Sequence, residues 1–177
     1  MGVTSSTNAA NTYVPIATYT APSAVTDYTF ASIPATYTDL VLVANVKLTS
    51  SLAYMMGTYN GDVGTNYSQT SLSGNGASAA SSRNNATTVN YLTQYQNINT
   101  ASFTTFILQF MNYSNTTTYK TVITRSGNGT NASTNDTTEA VVGTWRSNAA
   151  INSLKFTFSA STIVAGSTMT LYGILAA

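Results

Sequence analysis

Cysteine and histidine are both absent from the 177 residues. Their absence removes the thiolate nucleophile, the imidazole base, any disulfide framework and any Cys/His metal site. Charge is scarce too: Asp, Glu, Lys and Arg make up 6% of the chain, where an ordinary soluble domain carries roughly 25%. A net charge of +1 supplies no basic field for nucleic acid and no acidic field for a basic partner. The N-terminal residues have neither a basic region nor an apolar stretch, so no secretory signal peptide is expected. The longest apolar run, Leu40 to Val46 with Asn45 inside it, is far short of the ~20 residues a membrane helix needs. Neither nucleic acid nor membrane is an expected partner.

What the chain has instead is Thr, Ser and Asn, at 33, 21 and 18 residues. Such a composition invites disorder, but disorder also needs a high net charge, which is missing. Twelve Tyr, six Phe and one Trp add large apolar area, and a chain of this length can bury roughly two-thirds of its surface. One globular domain is expected over residues 13–177. Thr sets its class, because a β-branched side chain prefers strands and offers a hydroxyl to a wet face.

Period-2 alternation recurs along the chain and no 3.6-residue stripe does. Leu40, Leu42, Ala44, Val46 and Leu48 share one face, opposite Val41, Val43, Asn45 and Lys47. Phe106, Leu108 and Phe110 alternate with Thr105, Ile107 and Gln109, and Leu154, Phe156 and Phe158 alternate with Lys155 and Thr157. Strands are expected at 13–20, 25–31, 38–49, 53–59, 87–96, 103–112, 119–126, 138–146, 151–159 and 168–175. Eight to ten strands in one domain point to an all-β antiparallel sandwich or barrel. All three Pro lie at positions 15, 22 and 34, which places the N-terminal section along a sheet edge. Residues 1–12 read as a flexible arm with Val3 as its one apolar anchor after Met1. Residues 60–86 and 126–137 read as long small-residue loops, both containing Ser-Gly-Asn-Gly; a loop as long as the first is usually functional or disordered.

Candidate catalytic chemistry fails in turn. The carboxylates are Asp27, Asp39, Asp62, Asp136 and Glu139, and a glycosidase needs two facing each other across a sugar. Asp136 and Glu139 are close in sequence but read as a solvated loop end. A Ser nucleophile would need a base, and Lys47, Lys120 and Lys155 stand at alternating positions that read as outward and solubilising. Asn60-Gly61-Asp62 reads as a turn rather than a calcium loop, since the alternating acidic ligands are missing. No catalytic residue, metal ligand or cofactor is expected. Trp145 reads as core. Most Tyr read as rims of the core, although Tyr59 and Tyr67, flanking the long loop, suit an adaptable binding face.

Several segments resemble a known group of proteins. They are Ile33-Pro34-Ala35-Thr36-Tyr37 running into Leu40 to Val43, Tyr59 to Asp62 with Asn66-Tyr67-Ser68, and Tyr113 through Tyr119-Lys120-Thr121. Gly143-Thr144-Trp145, Ala150-Ile151 and Leu171-Tyr172-Gly173-Ile174 complete the set. In this order they resemble β-rich virion structural proteins of tailed bacteriophages, notably cyanophages. The resemblance implies a jelly-roll sandwich in a capsid decoration (cement) protein, commonly a homotrimer, seated on the major capsid protein or other virion proteins. Synthesis in the host cytoplasm and residence at the capsid surface go with it. The alternative it leaves open is a head or tail fibre module that recognises host glycans. The resemblance carries over no functional residues. The expected partner contacts are read from the arm, Val3, Thr4, Ser5, Ser6, Thr7 and Asn8, for attachment to the capsid, and from Tyr59 and Tyr67 beside the long loop, the feature that favours the glycan alternative.

Overall fold

The computed structural model describes residues 12–50, 53–93, 100–127 and 137–175. Within them the chain forms twelve strands: β1 (Tyr13–Thr20), β2 (Asp27–Phe30), β3 (Asp39–Val46), β4 (Met55–Tyr59), β5 (Tyr67–Gly74), β6 (Ala79–Thr87), β7 (Asn90–Tyr91), β8 (Thr104–Met111), β9 (Lys120–Gly127), β10 (Thr138–Trp145), β11 (Leu154–Phe158) and β12 (Thr168–Ile174). All pair antiparallel, in an eight-stranded sheet ordered β1-β12-β3-β8-β9-β10-β5-β6 and a four-stranded sheet ordered β2-β11-β4-β7.

The strand order contains a complete jelly roll. Strands β1-β12-β3-β8 form one half and β2-β11-β4-β7 the other, and within this eight-strand frame the chain changes sheet at every step except β4 to β7. Two hairpins are added to this frame. β9–β10 follows β8, β5–β6 follows β4, and together they extend the first sheet beyond β8.

Alternation builds the core. Leu40, Leu42, Val46, Phe106, Leu108, Phe110, Leu154, Phe156 and Phe158 are all buried. Phe156 meets Phe30 and Phe110 at ring separations of 6.3 and 6.4 Å, so the two sheets interlock through aromatic contacts. Edge placement of the prolines holds as well: β1, with Pro15, and β2 are the outermost strands of their sheets.

The expected 60–86 loop is instead the β5–β6 hairpin. Its turn is closed by Asn75, whose side-chain oxygen accepts from the backbone N–H groups of Ala77 and Ser78 at 3.0 and 2.8 Å. Sequence patterning misses it because its inner face is polar. One inner row across the large sheet runs Leu171, Leu42, Leu108, then Thr124, Val141 and Ser71. The face changes from aliphatic to largely hydroxyl beyond β8, so Gln69, Ser71 and Ser73 are buried without any apolar alternation. The expected 87–96 strand reduces to β7, two residues long, with 94–96 outside the described residues.

Candidate assembly surface

The loops around Pro34, Asp62, Tyr113 and Ile151 converge at one end of the sandwich. Asn60 occupies a left-handed position (φ 53) beside Gly61 (φ 70), and Asp62 N–H donates to Tyr59 O at 3.0 Å, which makes the expected turn after β4. From this turn the Asn60 side chain donates to Ala150 O at 2.7 Å and accepts from Asn152 N–H at 2.8 Å. Asp62 accepts from Trp145 Nε1 at 2.6 Å, Asn66 Nδ2 at 2.9 Å and Gly64 N–H at 2.8 Å. Tyr113, fully buried, donates its hydroxyl to Pro34 O, while its own backbone carbonyl accepts from Ile151 N–H at 2.9 Å. Most of these bonds tie one loop to another, and the Trp145 bond ties the 60–66 loop to the end of β10.

Tyr59 and Tyr67 belong to this framework, which corrects their reading as surface contacts. Both are buried and pack edge-to-face at 5.5 Å. The Tyr67 hydroxyl donates to Asp62 O and accepts from Tyr59 N–H, and the Tyr59 hydroxyl accepts from Asn90 Nδ2 at 3.0 Å. Burial pushes the Tyr59 phenol well up and the Tyr67 phenol up to about 12. Neither ring is exposed at the surface. Trp145 is core, as expected.

Two polar residues also depart from expectation. Lys120 is buried rather than outward: its Nζ donates to Thr118 O at 2.7 Å and Asn148 O at 3.3 Å, and desolvation lowers its pKa. Glu139 is buried on the inner face of β10, in register with Ser126 and Ser73, rather than standing at a solvated loop end. Asp136 and arm residues Val3, Thr4, Ser5, Ser6, Thr7 and Asn8 lie outside the described residues. Among the described residues no group of three or more acidic side chains is placed to hold a metal ion.

The outward surfaces of the two sheets differ sharply. Among the described strand residues the exposed large apolar side chains are Tyr13, Val43, Leu72, Met111, Ile123 and Val142, and all six stand on the eight-stranded sheet. Val142 and Ile123 face each other across β10 and β9, at 50% and 38% exposure, and Leu72 on β5 is 60% exposed. A depression of about 230 Å³ opens beside Val142, Thr70 and Arg83. Arg83 and Arg125 are exposed on this same face. The outward face of the four-stranded sheet carries Thr29, Thr58 and Thr157 and the Lys155–Asp27 ion pair at 3.2 Å. It has no exposed large apolar residue among those described.

This surface was partly visible in the sequence. Val41, Val43 and Ile107 make the second face of their strands apolar as well, a signal that both faces are covered. Val142, after Ala140 and Val141, shows the same signal in weaker form, whereas Leu72 stands between Ser71 and Ser73 and the register alone places it beside Ala140. No protein-family model matches the chain, and no curated protein or solved structure does.

Proposed function

We propose that the chain is a non-enzymatic structural protein of a phage virion, a capsid decoration (cement) protein that binds the shell as a homotrimer. The observation that carries this reading is that, among the described strand residues, every exposed large apolar side chain stands on the eight-stranded sheet and none on the four-stranded one. A contiguous exposed apolar surface on one side of a domain marks an interaction site. The low charge of the chain agrees, because little repulsion opposes close packing of copies. Jelly rolls recur in viral capsid and lectin domains, which is a fold-level analogy and says nothing of particular residues.

On this reading Val142, Ile123 and Leu72 form the apolar centre of the contact. Arg83 and Arg125 stand at its margin, where they meet acidic side chains of the major capsid protein. The glycan-binding alternative drew on Tyr59 and Tyr67, and their burial leaves it without a specific observation. A cryo-EM map of the virion tests the proposal. Density for this sandwich on the capsid surface, with the eight-stranded sheet turned to the shell, is expected; density at a fibre tip would overturn it.

A further inference from the structure

The depression beside Val142 has a definite chemical make-up. Its walls are Ser68, Thr70, Thr144, Val142 and Arg83, and Gln69, buried on the inner face of β5, borders it from below. Register explains why these residues meet. Val142, Thr70 and Arg83 form one cross-strand row over β10, β5 and β6, and Thr144, Ser68 and Asn85 form the next row on the same face. Three hydroxyls, one valine and one guanidinium therefore surround a recess whose lining contains no carboxylate and no aromatic ring.

A second guanidinium stands beside it. Arg146 follows β10 and donates to Asn85 Oδ1 at 3.0 Å and to Thr65 O at 2.6 Å. β6 bulges immediately after Asn85, at Ala86 (φ 55), and bulges commonly re-aim the side chains next to them. Arg83 and Asn85 are two residues apart on one face of β6, so Arg83 and the anchor of Arg146 lie roughly 7 Å apart along the strand. Neither arginine takes part in an ion pair among the described residues. Asp62, on the same turn as Thr65, is already occupied by Trp145, Asn66 and Gly64. The recess thus carries positive charge that nothing around it balances.

We infer that this recess is a socket for a carboxylate, supplied by a glutamate side chain of the protein partner. The planar fork of Arg83 matches a carboxylate with two parallel hydrogen bonds. The hydroxyls of Ser68, Thr70 and Thr144 can donate to its remaining lone pairs. Arg146 is held in place by two of its five donors and keeps the others for an anion. Val142 offers an apolar wall to the methylenes of the incoming side chain. An acidic sugar fits less well, because the walls give its ring face nothing aromatic to stack on. The inference rests on the proposed attachment face and adds to it one recognised chemical group.

The probe is a blocked pentapeptide with one central glutamate among alanines, titrated into the full chain while backbone amide NMR signals are followed. Saturable shifts are expected at Thr70, Arg83, Val142 and Thr144, and none with the glutamine version of the peptide. Arg83 is exposed, so Arg83→Gln should fold normally and weaken binding by about fivefold, the upper range for a solvent-exposed ion pair. Arg125→Gln removes the same charge from the same face outside the recess and should leave binding unchanged. Absence of shifts, equal binding of the glutamine peptide, equal weakening by Arg125→Gln, or tighter binding of galacturonate or sulfate than of the glutamate peptide would each overturn the inference. Peptide binding without attachment to stripped particles would uphold the socket and fail the virion reading. Attachment that depends on Val142 while no peptide binds would do the reverse.

Discussion

Trp145 donates its indole N–H to the Asp62 carboxylate at 2.6 Å, joining the end of β10 to the turn after β4 and so one sheet to the other. Burial opposes ionisation of Asp62, but the hydrogen bonds from Trp145, Asn66 and Gly64 outweigh it and hold the carboxyl below its ordinary range. Because the folded value lies below the unfolded value of about 3.9, this stabilisation is complete above that pH. It is lost as pH falls through the folded value. Asp62→Asn should lower unfolding free energy at pH 7 by about 1–3 kcal/mol and flatten the decline on the acid side. Urea titrations at pH 7 and pH 3 check both effects; parallel losses for wild type and variant would contradict the assignment.

The buried phenols give the opposite limb. Tyr59, Tyr67 and Tyr113 all have raised pKa values, with burial as the leading cause. A folded value above the unfolded value of about 10 means that the contribution is intact below pH 10 and lost as pH rises through the folded values. For Tyr67 that loss runs up to about 12. Absorbance titration of phenolate should show a late group of tyrosines that ionises together with unfolding. Smooth ionisation of all twelve tyrosines near pH 10 in the folded protein would contradict it.

Phe156 lies between the sheets with no exposure. Phe156→Ala should cost about 3–5 kcal/mol, read as a lower denaturation midpoint at unchanged slope. A loss below ~1 kcal/mol would mean that the sheets do not pack through this residue.

Gly173 faces the Tyr37 ring so closely that a Cβ built there would lie 2.2 Å from Cγ. Gly173→Ala must displace the ring and should cost about 1–3 kcal/mol. Tyr37→Ala in the same chain should recover part of that loss, a coupling that a double-mutant cycle measures. Strictly additive effects would show that the ring is not the obstacle.

The jelly-roll half of the fold was legible because its strands bury aliphatic and aromatic residues at every second position, as at Leu40, Leu42 and Phe106 to Phe110. The added strands were not all legible. β5 and β6 read as loop because Gln69, Ser71 and Ser73 face inward in place of apolar side chains, leaving alternation nothing to register. The same blindness explains Tyr59 and Tyr67. Beside an apparent loop they looked like contacts, whereas each begins or ends a strand and turns its ring into the core. Lys120 shows the limit of charge as a guide, since two backbone carbonyls at the strand end hold its ammonium inside. The outward aliphatic patch needed the register, which pairs Val142 with Ile123 across eighteen residues of sequence.

A surface patch that serves attachment should be dispensable for folding. Val142 and Leu72 are half or more exposed, and substitution of such surface positions usually changes stability by no more than about 0.5 kcal/mol. Val142→Asp and Leu72→Asp should therefore melt close to wild type.

The central claim is that the outward face of the eight-stranded sheet seats the protein on the capsid. It is tested most directly by co-sedimentation of wild type, Val142→Asp and Leu72→Asp with phage particles stripped of the native protein. The account predicts saturable binding of wild type and a loss of at least tenfold in affinity for each variant, about 1.4 kcal/mol or more. Equal binding by all three folded proteins would contradict it.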